Sequence, residues 1–211
     1  MSGPPVATVA ARRGGVRAHP AIAAFTVAYV AAFTAFCLSR GITTFWVYAG
    51  VITVLMGLVA WVDRRIGLGP RLLTALSAWG LAHMAGGLIP ATSADGHVLY
   101  NVVLIPRLVR YDQLVHAFGF ATAAAVCRRV LEVRAPGLRA GTLAVRVWLM
   151  GMGLGAFNEV VEFASTLVQR QSNVGGYRNT AFDLVFNMLG SGAVALWAGR
   201  RAVVASHAPS G

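Results

Sequence analysis

Six runs of predominantly apolar residues, each close to the roughly 20 residues that cross a bilayer as a helix, leave little choice of fold. They cover residues 21–39, 42–62, 72–90, 111–131, 143–167 and 180–199. Backbone groups in lipid have no water to bond, so they must pair within their own segment. The runs are too long for barrel strands and lack their alternation. The chain therefore reads as an all-α polytopic transmembrane helical bundle of six spans over residues 21–199. A flexible basic tail at 1–20 and a short tail at 200–211 flank it. The first run exceeds a signal-peptide core and ends without a cleavage site, so it is read as an uncleaved span. Only 12% of the 211 residues are charged, against about 25% in soluble domains. That excludes a soluble enzyme and a disordered chain.

The net charge of +11 comes from 18 basic residues, every one an arginine. Such a balance would suit nucleic acid, but distribution decides otherwise. The arginines fall between apolar runs rather than on one face, so no nucleic-acid partner is expected. With the N-terminus inside, 13 arginines are cytoplasmic, among them Arg64, Arg65, Arg128 and Arg129. Five lie outside: Arg40, Arg107, Arg110, Arg170 and Arg178. This bias predicts both termini in the cytoplasm. Cys37 and Cys127 lie in runs near opposite surfaces, too far apart to bond.

Acidic residues number only seven. Asp63, Asp95 and Glu132 are expected between spans. Asp112, Glu159, Glu162 and Asp183 fall inside them, as do His83 and His116. Ionisable groups in a membrane are costly and face an interior or a water-filled cavity. Asp112 and His116 are four apart, Glu159 and Glu162 three, Asp183 and Asn187 four, so each pair shares a helix face. At about 1.5 Å per residue, spans of alternating direction bring all of these groups to the outer half of the membrane. One polar cavity, open to the extracytoplasmic side, follows.

Two histidines with several carboxylates suit a divalent metal (Zn, Mn or Fe), with His83, Asp112, His116, Glu159 and Asp183 as ligands. Neither the Glu-x-x-His of di-iron bundles nor HExxH is present. Without metal, crowded carboxylates share protons, and Glu159 or Glu162 with His116 forms a catalytic acid–base pair. A third reading makes the cluster interhelical hydrogen-bonding glue. Arg170 and Arg178 flank an outer loop. Arg178 can hold a lipid phosphate or carboxylate, with Asn158, Asn187 and Tyr177 beside it, or simply cap the surface. Residues 91–110 are read as an interfacial helix or hairpin, or as a lid. The glycines at 151, 153 and 155 and the Gly190–Gly192 stretch are read as close helix contacts. Membrane lipid, or a lipid-linked or amphiphilic substrate, is the expected partner. A proton-coupled or small-molecule transporter and a structural accessory subunit are the alternatives. The first would need polar residues continuing inward, and few do.

Four stretches carry a resemblance: HMAGG from His83, YDQLVHAFGF from Tyr111, NEVVEF from Asn158 and NTAFDLVFNMLGS from Asn179. Their order over residues 75–195 resembles the YjdF-like family of bacterial inner-membrane proteins, a domain of unknown function. More distantly it is similar to VanZ-like proteins, which implies a place in the bacterial cytoplasmic membrane and a cell-envelope role. The chain departs from that pattern where Asn179 replaces an Asp and Leu88 a polar residue, which removes two possible ligands.

Overall fold

The computed structural model describes residues 18–42, 45–93, 96–168 and 175–207. Six helices form: α1 (Pro20–Arg40), α2 (Phe45–Ile66), α3 (Gly69–Leu88), α4 (Tyr111–Arg134), α5 (Ala140–Val168) and α6 (Tyr177–His207). Five are long and apolar enough to cross a membrane, all but α3. Helix α3 carries Arg71, Ser77, Trp79 and His83, and it packs against both α1 and α4. Most of the N-terminal tail, together with Asp95 and Arg170, lies outside the described residues. The final span, expected to end at 199, continues as helix to His207.

Local chemistry sets the helix ends. Pro20 opens α1, where its missing N–H costs nothing, and Gly41 closes it in the left-handed region at φ 65°. Asp63 and Glu132, expected between spans, both lie within helices. Asp63 is buried in the last turn of α2 and accepts the Leu68 N–H at 2.8 Å. The turn to α3 is further fixed by Arg129 of α4, which donates to the Gly67 carbonyl at 3.0 Å. Glu132 pairs with Arg128 on α4, and that guanidinium stacks on Trp197 of α6 at 4.2 Å.

The segment at 90–110 is not a helix. Strands β1 (Pro90–Ser93) and β2 (Gly96–Val98) form one antiparallel hairpin, and β3 (Val103–Ile105) and β4 (Val109–Arg110) another. A 3₁₀ turn at Leu99–Asn101 joins them. Tyr100 in this turn is buried over Gly86, where a Cβ would lie 2.2 Å from its ring. The segment is thereby pinned to α3.

Helices α4, α5 and α6 form the tightest group, with α3 beside α4 and α1 and α2 outermost. Gly190 lets α6 touch the α4 backbone, since a Cβ there would meet the Ala117 carbonyl oxygen at 2.1 Å. Gly151 and Gly155 are close contacts too, whereas Gly153 faces open space. Side-chain polarity is inverted relative to a soluble bundle. On α5, Phe157, Val160, Phe163 and Leu167 are exposed, while Glu159 on the opposite face is buried. On α6, Asp183, Asn187 and Ser191 are wholly buried and Leu189 and Leu196 are exposed. Apolar faces this extensive need a non-aqueous surround, so the chain is embedded in a membrane.

Candidate functional site

The polar residues of α4, α5 and α6 meet at one end of this group, one to two turns below the start of α4 and α6 and the end of α5. His116 is the centre and is 5% exposed. Its Nε2 lies 3.6 Å from Asp112 Oδ1 and 3.7 Å from Glu162 Oε1. Its Nδ1 lies 3.0 Å from Asn187 Oδ1 and 3.6 Å from Glu159 Oε1.

Asn187 holds the Nδ1 side of the ring. An amide oxygen only accepts, so Nδ1 carries the proton and donates to Asn187. Nε2 faces two carboxylate oxygens, and it can either donate to them as an imidazolium N–H or offer its lone pair to a cation. Gly155 makes room for this arrangement, because a Cβ there would meet the Asn187 amide nitrogen at 2.9 Å.

Around this centre the polar groups are only partly satisfied. Asn158 donates to Glu162 Oε1 at 2.7 Å. Asn179 donates to Asp112 Oδ2 at 3.1 Å and to Asp183 Oδ2 at 2.5 Å, tying α4 to α6. The Oδ1 of Asp183 is buried without a hydrogen-bond donor, and Glu159 is buried with the amides of Asn158 and Asn187 beside it. A buried polar group left without a partner costs about 1–3 kcal/mol, and more if charged.

Two sets of side chains present ligand atoms within 4.8 Å of one another: Asp112, His116 and Asp183, and His116, Glu159 and Glu162. Two ligands at about 2.1 Å from a tetrahedral ion are themselves ~3.4 Å apart. The separations at Nε2 are close to that. Four of the five ligands expected from sequence thus come together, with Glu162 joining them.

His83 stands outside both sets. Its Nδ1 is 2.5 Å from the Tyr100 hydroxyl, and that hydroxyl also lies 2.9 Å from the His83 carbonyl. Tyr48 and Tyr100 stack around its imidazole at 5.5 and 5.7 Å. Burial pushes the Tyr100 phenol well above its ordinary value, so it remains a neutral donor or acceptor. His83 is held by a clamp from the hairpin segment.

Beside the cluster lies an open groove of about 740 Å³, lined by Arg107, Arg110, Gln113, Tyr177, Arg178 and Asn179 among others. Asn179 is common to the groove and the cluster. Arg178 and Tyr177 line this groove, and Asn158 and Asn187 lie deeper, on Glu162 and His116. Sequence reasoning missed Asn179, Gln113, Arg107 and Arg110 as parts of the site. For Asn179 the signal was present in its four-residue spacing to Asp183. Gln113 accepts the Arg110 backbone N–H and so fixes the start of α4.

No curated protein and no solved structure matches the chain. A family model described as a predicted membrane protein (DUF2238) matches residues 21–203, which takes in all six helices up to the last turn of α6. A membrane-embedded bundle is what such a match implies, and the chain belongs to this family.

Proposed function

We propose that the chain holds a divalent cation (Zn, Mn or Fe) at His116 and uses it on a lipid-linked or amphiphilic molecule of the cell envelope. The single observation behind this reading is that His116 belongs to two sets of ligand atoms lying within 4.8 Å of one another, one with Asp112 and Asp183 and one with Glu159 and Glu162. Burying several carboxylates is too costly unless something positive compensates them, and a cation does so while activating bound water or polarising a substrate oxygen. Asn187 on the Nδ1 side orients the imidazole as partners of metal-bound histidines do. Glu159, buried beside His116, is placed to take or give a proton.

Motifs similar to those of VanZ-like proteins support a role at the cell envelope, and the arginine bias between spans supports a bacterial cytoplasmic membrane with the site on its outer side. Elemental analysis of protein purified in detergent tests the cation. One divalent ion per chain, absent from His116→Ala and reduced in Glu162→Gln, is the expected result. A wild-type protein free of divalent metal, or a His116→Ala variant with the same content, refutes it.

A further inference from the structure

Arg107 and Arg178 both line the groove, and among the described residues no acidic side chain lines it with them. The groove sits where α4 and α6 begin, the level at which lipid headgroups meet a membrane protein. Its rim is apolar: Leu108 is 66% exposed and Ile105 50% on the β3–β4 hairpin, and Tyr177 stands out fully on the other side. A surface with this pairing, cationic floor and greasy rim, suits a molecule with an anionic head and acyl chains.

The backbone adds a separate sign. Arg107 has φ 62°, the one non-glycine residue with positive φ among the described residues. Such a conformation costs an L-residue of order 1 kcal/mol or more. Glycine would relieve that strain at this turn, yet a long guanidinium is placed there and turned to the groove. Arginine binds phosphate through paired N–H groups.

We infer that the groove seats the phosphate of an anionic phospholipid headgroup, clamped by Arg107 and Arg178, with Asn179 between it and the His116 cluster. This rests on the reading above only for what happens next. The clamp itself needs no cation. Lipid phosphate would arrive beside Asn179, next to Asp112 and the ion, as the substrate class of that centre.

The test uses the full chain in detergent, titrated by calorimetry with short-chain phosphatidic acid, short-chain phosphatidylcholine and inorganic phosphate. Phosphatidic acid is expected to bind most tightly of the three. Each exposed arginine removed should weaken it by about tenfold, so Arg107→Gln/Arg178→Gln loses roughly a hundredfold, with unchanged thermal unfolding. The Lys/Lys double variant should recover part of the affinity. Phosphatidylcholine binding as well as phosphatidic acid, inorganic phosphate binding as well as either, or a Gln/Gln variant that binds phosphatidic acid like wild type overturns the proposal. His116→Ala, which tests the cation, should keep phosphatidic acid binding. If it loses it, the lipid is held by the ion and the arginine clamp is wrong.

Discussion

The two ends of the α4–α5–α6 group are built from the same helices at the same close approach, yet their interiors are opposites. At one end Ala124, Leu143, Val147, Ala195 and Ala198 form a dry core. At the other, Asp112, His116, Glu159, Asp183 and Asn187 fill the equivalent space. Helix association in lipid requires only small residues and good packing, and the first end shows that this chain achieves it without polar groups. The second end is therefore not needed to hold the helices together. Its carboxylates carry a desolvation cost that the alanines avoid, and the unpartnered Oδ1 of Asp183 shows that neighbouring side chains do not offset it in full.

That contrast can be broken from the apolar side. Val147→Asp puts an acid into the dry core, where neither cation nor amide awaits it. We expect a loss of at least about 4 kcal/mol, read as a collapse of thermal stability in detergent. Equal stability to wild type would mean that the two ends do not differ as described.

Asn187 sharpens the other side. Asn187→Leu removes the acceptor that holds the His116 Nδ1 proton, and cation affinity should fall about 10- to 100-fold. Asn187→Asp keeps an acceptor there and should retain most of the affinity. Equal titration curves for the two variants would show that Asn187 does not hold the Nδ1 side of the ring.

The smallest expected effect concerns Asn179. Asn179→Asp exchanges a donor shared by Asp112 and Asp183 for a third acid. Without metal the variant should be less stable by about 1 kcal/mol. With metal it should bind the cation more tightly, so added ion should raise its unfolding temperature by more than it raises that of wild type. A variant stabilised in the metal-free state would contradict the role given to Asn179.

Much of this site was legible in the sequence, for a physical reason. In a chain with so few acids, a charge inside an apolar run is visible at once, and spacings of three and four residues assign faces without any structure. Alternating helix direction then supplies depth, which is how Asp112, His116, Glu159, Glu162 and Asp183 could be grouped. What stayed hidden depends on contacts between elements with no periodicity to read. Tyr100 lies in a short turn between two hairpins, so nothing in the apolar pattern announces that it will take up His83. Asp63 reads as a loop residue because α2 extends one turn beyond its apolar run. Asn179 looked like a lost ligand because sequence shows which charge is missing but not which hydrogen bond replaces it. Arg107 and Arg110 come to line a groove with Arg178 through the fold of the β3–β4 hairpin, which no periodicity announces.

The central claim is that His116 offers Nε2, and not Nδ1, to a cation it shares with one of the two carboxylate pairs around it, Asp112 and Asp183 or Glu159 and Glu162. Anomalous diffraction from crystals of the full chain grown with zinc, collected at the metal's absorption edge, measures this directly. The account predicts a peak about 2.1 Å from Nε2, within reach of one of those carboxylate pairs, with Asn187 still on Nδ1. A peak bound through Nδ1, or no peak at His116, would contradict it.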